Sequence, residues 1–209
     1  MKKIIIVLLP FILISCASFN PGTVEYRSAI TSPGSKHIDS VYVFVKEYNN
    51  QEAKLIFDTD FRYYDFEPIY ISVFNRSNST ILVDPHNVEN RVNIDKVYKK
   101  TKIAPFRYFI GWSIPWGINM LVGLPFYYGI AWPVFGVAAM AKTSGANRKR
   151  EVYYNSVTLK KTELLNGQEI NGVVFIERDS SKTINLDLVK SDSVKINFIF
   201  DKMINKFNK

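Results

Sequence analysis

One thiol, two histidines and a tight group of carboxylates are the side chains in this 209-residue chain whose types could carry chemistry. Their spacing assigns them little of it. The thiol, Cys16, is the only cysteine, so no intrachain disulfide can form. His37 lies in a stretch rich in Ser, Gly and Pro, and His86 in the turn Asp84-Pro85-His86-Asn87. Neither has a ligand partner near it in sequence, and no metal site is expected. Asp58, Asp60, Asp65 and Glu67 form a grouping that could hold calcium or act as paired carboxylates. It lacks the glycine and the terminal glutamate of a calcium loop, and solvation of strand ends is the plainer expectation. No Gly-x-Ser-x-Gly, phosphate loop or Gly-x-Gly-x-x-Gly occurs. Neither an enzyme nor a cofactor is expected.

What precedes Cys16 is more informative than the thiol itself. Lys2 and Lys3 lead into an apolar run from Ile4 to Ile14, broken only by Pro10 and ending at Ser15-Cys16. A helix needs roughly twenty residues to cross a hydrocarbon core of ~30 Å, so this run is an export signal and not an anchor helix. Leu13-Ile14-Ser15-Cys16 resembles the lipobox of bacterial lipoprotein precursors. That resemblance implies removal of residues 1–15, a thioether-linked diacylglycerol on Cys16, and acylation of the new amino terminus. At ~0.8 kcal/mol per buried methylene, two or three acyl chains hold such a protein on a membrane essentially permanently. Ala17 stands where the family's inner-membrane retention signal would be an aspartate, which favours the outer membrane, facing the periplasm. The alternative is an ordinary secretory signal in which Cys16 is incidental.

The remaining chain divides by pattern. Residues 16–39, with Asn20-Pro21-Gly22 and Ser32-Pro33-Gly34-Ser35, read as a flexible tether. From residue 40 apolar residues recur at every second position. Val41, Val43 and Val45 share a face, Ile69, Ile71 and Val73 another, and Thr80 to Val83 follow a polar turn. Leu55-Ile56-Phe57 and Val92 to Ile94 are weaker strand candidates. Beyond Arg150 strands are expected at Val152 to Leu159, Ile170 to Glu177, Thr183 to Val189 and Val194 to Phe200. Short strands at this spacing predict a mainly β fold, an immunoglobulin-like antiparallel β-sandwich, with halves at 40–102 and 148–209 and a short basic tail.

An apolar α-helical hairpin is expected to interrupt that sandwich at 103–147. Tyr108 to Ala141 contains no charged residue or histidine and holds all three tryptophans. One continuous helix over it would be about 50 Å long, and Pro115, Pro125 and Pro133 argue for interruption, most naturally at Gly123-Leu124-Pro125. If the flanking strands share one sandwich, both ends of the segment must lie on the same side of any bilayer, which forbids a single crossing. Arg107 before the segment, and Lys142, Arg148, Lys149 and Arg150 after it, suit anionic head groups. Trp112, Trp116, Tyr127, Tyr128 and Trp132 supply the amphipathic rings found at membrane interfaces. These residues form the expected membrane-contacting set. The alternative is a hairpin packed on the protein's own sheet.

Lys and Arg number 27 against 19 acidic residues, a net charge of +8 that suits an anionic lipid surface. Nothing supplies a reading helix or stacking platform for nucleic acid, so Arg148-Lys149-Arg150 is assigned to the membrane. A second resemblance rests on Asn147-Arg148-Lys149-Arg150 leading into Tyr153-Tyr154-Asn155, and on the strand Gly167-Gln168-Glu169-Ile170-Asn171-Gly172-Val173-Val174-Phe175. This order is similar to that of bacterial envelope lipoproteins with immunoglobulin-like domains, and it implies architecture without assigning any residue a role. The expected function is a non-enzymatic, lipid-anchored envelope lipoprotein. Its partners are membrane lipid, through acylated Cys16 and the 108–141 hairpin, and another envelope protein. The alternative is a lipid-binding or lipid-sensing envelope protein.

Overall fold

The computed structural model describes residues 18–104, 127–178 and 182–202, and only the backbone of 127–136. The chain forms two compact units. The larger comprises the described parts of Pro21–Lys100 and Tyr154–Lys209, and the smaller those of Met1–Asn20 and Thr101–Tyr153. In chain order the elements are β1 (Lys36–Ile38), β2 (Val41–Glu47), α1 (Asn50–Phe57), β3 (Phe66–Asn75), β4 (Ile81–Val83), α2 (Ile94–Thr101), α3 (Tyr127–Val157), β5 (Thr162–Leu164), β6 (Glu169–Glu177), β7 (Thr183–Lys190) and β8 (Lys195–Asp201).

The larger unit is mainly β. Two antiparallel four-stranded sheets run in the orders β1-β2-β3-β6 and β5-β4-β7-β8, an arrangement consistent with a β-sandwich. Period-two alternation puts Val41, Val43, Ile69, Ile71, Val73, Val174 and Ile176 of the first sheet into one cluster with Ile81, Val83, Ile184, Leu186, Leu188, Ile196 and Phe198 of the second. Full burial of such side chains is worth about 1.5–3 kcal/mol each, and this cluster is the main source of the fold's stability. Asn75 is fully buried where β3 ends, and it ties the sheets together. Its Nδ2 donates to the carbonyls of Ser79 at 2.8 Å and Leu164 at 2.9 Å, while its Oδ1 accepts from Ser77.

The first sheet is covered on its other face as well. Phe66 and Phe175, one register step from the sandwich core, meet an aromatic layer made by Phe57, Phe61 and Tyr154, while Tyr70 on the same face meets Phe44 edge to face. Phe57 and Phe175 meet edge to face at 5.7 Å, and the Tyr154 hydroxyl bonds that of buried Thr59 at 2.9 Å. Gly172 lets the chain leaving α3 pass directly over β6. A Cβ there would lie 2.5 Å from the Leu159 Cα, in the place where the Leu159 amide donates to the Val173 carbonyl at 3.0 Å.

The strands expected at Val41 to Val45, Ile69 to Phe74, Thr80 to Val83, Ile170 to Glu177, Thr183 to Val189 and Val194 to Phe200 are present, within a residue or a few at their ends. Three expectations are overturned. Leu55-Ile56-Phe57 is helical, because Asn49 and Glu52 form a capping box that starts α1 and Asp58, at φ 47°, ends it in the left-handed region. Val92 to Ile94 is no strand. The Val92 amide reaches Phe175 O, and Ile94 opens α2. Val152 to Leu159 is not a strand either, since α3 runs unbroken through Val157, so the boundary drawn at residue 148 falls inside a helix. Val152 and Tyr154, and then Val157 and Leu159, alternate with a period of two over so short a stretch, but the helical hydrogen bonding of the preceding turns carries on through Val157. The first arm of the expected hairpin lies outside the described residues.

Residues 21–39 also depart from the expected tether. They carry β1, and they are hydrogen-bonded along the sheet. Gly22 opens this docking. Its amide donates to Leu55 O at 3.0 Å, at an approach where a Cβ would sit 2.9 Å from that oxygen.

Candidate membrane-facing site

Helix α3 supplies the described part of the expected membrane set. At 3.6 residues per turn, Ala139, Thr143, Ala146, Asn147 and Arg150 fall on one face, and all are buried. Lys142, Arg148 and Lys149 are exposed, Arg148 opposite that face and the two lysines at its margin. Lys142 and Lys149 lie two turns apart along one flank and Arg148 lies along the other. Between them the surface is made of the small or apolar residues Ala138, Ala141, Gly145 and Val152. Short apolar groups flanked by long cationic stems are the composition that settles on an anionic head-group layer. Among the described residues, no helix is long and apolar enough to cross a membrane.

Arg150 is placed differently. It is 4% exposed, its Nη1 donates to Thr101 O at 2.7 Å, and its guanidinium lies 4.8 Å from the centre of the Phe19 ring. Among the described residues its Nε has no hydrogen-bond partner. A cation this deep holds chain segments together and is not available to a head group, so Arg150 leaves the expected membrane-contacting set. Asn147 works beside it. Its side-chain amide accepts from the Ile103 N–H at 3.0 Å and donates to the Ile103 carbonyl at 2.7 Å, as a neighbouring strand would. Sequence alone could not separate Arg150 from Arg148 and Lys149, because only the phase of the helix decides which of three adjacent cations turns inward.

The other expected contacts are placed as follows. Cys16, Arg107, Trp112 and Trp116 lie outside the described residues. Tyr127, Tyr128 and Trp132 lie in the first turns of α3, where the backbone alone is described.

In the larger unit the most densely bonded carboxylate is Glu169, at the start of β6. It accepts from Tyr26 Oη at 2.6 Å, Ser28 Oγ at 3.2 Å, the Ala29 amide at 2.5 Å and Ser72 Oγ at 2.7 Å. Burial pushes its pKa up, but these four donors outweigh burial and hold the carboxyl below its ordinary range. Beside it Tyr70 Oη accepts from the Arg27 amide at 2.9 Å and donates to the Arg27 carbonyl at 3.1 Å. Sequence reading passed over Glu169, because its donors lie about a hundred residues or more away; the β3–β6 pairing brings Ser72 to it, and the segment before β1 brings the other three.

The remaining candidate residues are dispersed. Asp60 caps the short helical turn Phe61–Tyr63, and the Arg62 guanidinium beside it holds its pKa at about 2. Asp65 pairs with Lys100 at 2.9 Å and Glu67 with Lys202 at 3.1 Å, while Asp58 is the C-cap of α1. Asp60, Asp65 and Glu67 therefore each have their own cation. His37 stacks on Tyr42 at 5.4 Å. The His86 amide and ring both bond Asp84, which Lys161 also meets at 3.1 Å, and these contacts, the amide first, hold Asp84 at about 2. Among the described residues, no group of three or more His, Cys, Asp or Glu side chains could hold a metal ion. Compared with family models, curated proteins and solved structures, the chain matches none.

Proposed function

We propose that this chain is a lipid-anchored bacterial envelope lipoprotein of the non-enzymatic, protein-binding kind. On this reading acylated Cys16 and the 108–141 hairpin hold it on a bilayer face, outer membrane facing the periplasm, and a β-sandwich serves as the binding body. The observation that carries the membrane half is the exposed face of α3, where Lys142, Arg148 and Lys149 flank small residues directly after the uncharged segment. The docked segment adds to it. From Cys16 to Gly22 the chain can reach about 20 Å at most, so the body stays close to its anchor instead of swinging on a long leash.

The sandwich is read as immunoglobulin-like on its connectivity. β3 pairs with β6 in one sheet and β4 with β7 in the other, interlocking two non-consecutive antiparallel pairs in the Greek-key manner. Between the alternatives, packed aliphatic and aromatic side chains lie between the sheets, and among the described residues β8 has an open edge. Both features favour partner binding over acyl-chain handling.

Mass spectrometry of the membrane-purified product tests the anchor. The expected mass lacks residues 1–15 and carries acyl chains on Cys16, and an intact leader or a bare thiol overturns it. Vesicle flotation of the Cys16→Ser chain tests the helix face. With each cation near an anionic surface worth about 1 kcal/mol, the triple change Lys142→Gln, Arg148→Gln and Lys149→Gln weakens binding to anionic vesicles about a hundredfold. Equal binding of both forms removes α3 from the membrane site.

A further inference from the structure

Sheet edges differ greatly in what they leave unpaired. The edge strands β1 and β5 have three residues each, and the outer edge of β6 is taken up by bridges to Thr158 and Arg91. β8, seven residues long, is the one long open edge among the described residues. The Lys190 amide bonds Val194 O at 2.9 Å and the Lys202 amide bonds Lys182 O at 2.8 Å, which fixes the hydrogen-bonding phase of the β7–β8 ladder. Alternation then directs the main-chain groups of Ile196, Phe198 and Phe200 toward β7, and those of Lys195, Asn197, Ile199 and Asp201 away from it. The side chains of these four outward residues are exposed, Ile199 to 50%.

The order of those four residues names the occupant. We propose that β8 pairs antiparallel with β8 of a second copy of this chain, about a twofold axis at Phe198, to join two four-stranded sheets into one of eight. In that register Lys195 faces Asp201 of the second copy at both ends of the ladder, and Asn197 faces Ile199. Each facing pair has its main-chain groups already turned toward the edge and exchanges both hydrogen bonds. The two Ile199 side chains become diagonal neighbours and leave water together. A parallel pairing or a shift of two residues would lose the charge match. Lys36 guards the edge in the single copy, with its Nζ on the Ile199 carbonyl and over the Phe200 ring at 5.1 Å. An exposed lysine is a common device against unwanted edge pairing, and a flexible side chain can swing aside. Confinement of both copies to one bilayer face raises their effective concentration.

This inference rests on the protein-binding reading and specifies the partner. The test uses full-length chains in mild detergent, one tagged copy carrying Asn197→Cys and a differently tagged copy carrying Ile199→Cys. Facing Cα atoms in such a pair are about 5.5 Å apart, within disulfide range. Oxidation is expected to link the two tags, and to do so more in a Lys36→Ala background. Chains with native Asn197 and Ile199 control for any link through Cys16. Lys195→Asp in both copies sets like charges opposite each other twice and lowers the dimer fraction about tenfold. Adding Asp201→Lys to both copies reverses every pair and restores the link. These positions are exposed, so circular dichroism and melting of the single copies should not change. No link above the control, or a link indifferent to the charge changes, overturns the proposal. Membrane anchoring persists in either case, so failure here is distinct from failure of the lipoprotein reading.

Discussion

Replacing Glu169 with alanine should release the segment that precedes β1. The carboxylate takes four donors, but they do not count equally. Tyr26 Oη is at an exposed position and Ser28 Oγ is only half-covered, so both can turn to water when the acceptor goes. The Ala29 amide and the Ser72 hydroxyl belong to residues with no exposed surface, and neither can. A buried donor left unpaired costs about 1–3 kcal/mol, so the two together put the loss at about 3 kcal/mol. Glu169→Gln keeps a carbonyl oxygen for one donor and should lose about 1–2 kcal/mol. Because Arg27 on Tyr70 and Gly22 on Leu55 remain, the loss should appear first as local opening. Amide hydrogen exchange read at Ala29 and Arg27, together with urea unfolding, separates local from global effects. Wild-type protection at Ala29 in Glu169→Ala, with an unchanged midpoint, would refute the view that this carboxylate holds the segment to the sheet.

Three further outcomes can be checked. Gly172→Ala should destabilise the larger unit by about 2–4 kcal/mol, because the new Cβ meets the backbone of Leu159, which cannot yield as a side chain does; an unchanged urea midpoint contradicts it. Tyr154→Phe should cost about 1 kcal/mol by removing the hydrogen-bond partner of buried Thr59 while keeping the ring in its aromatic layer, and a double change with Thr59→Val should cost less than the sum of the two single changes. Acid should weaken the fold in a defined window. Asp60 and Asp84 titrate at about 2 in the folded chain, below ordinary carboxyl values, so the unfolded chain binds more protons between about pH 4 and pH 2. Their contribution is complete above that range and is lost as pH falls through it. Melting temperature should therefore drop from pH 5 to pH 2, and less so in Asp60→Asn with Asp84→Asn; an equal slope in both forms removes these two groups as the cause.

Some elements are legible in the sequence for a simple reason. Val41, Val43 and Val45, or Ile184, Leu186 and Leu188, must bury one face of a strand, and no other local structure puts every second residue on one side. The capping box of Asn49 and Glu52 is equally local, and noticing it would have assigned α1 correctly over the apolar triplet Leu55-Ile56-Phe57. The uncharged run Tyr108 to Ala141, the cations that follow it and the single cysteine are likewise properties of the chain alone.

Tertiary structure decided what depends on residues far apart meeting. Glu169 is an ordinary acidic residue in sequence, and it holds a segment in place only because β3 brings Ser72 to it and the chain before β1 lays Ala29 against it. Arg148, Lys149 and Arg150 are equivalent as letters, yet the phase of a helix that runs on to Val157 buries the third and exposes the other two. The stretch before β1 has the composition of a loose linker, and it is ordered by partners more than thirty residues away. Periodicity reports which face of an element avoids water. What covers that face, and which edge stays open, is a property of the assembled sheets.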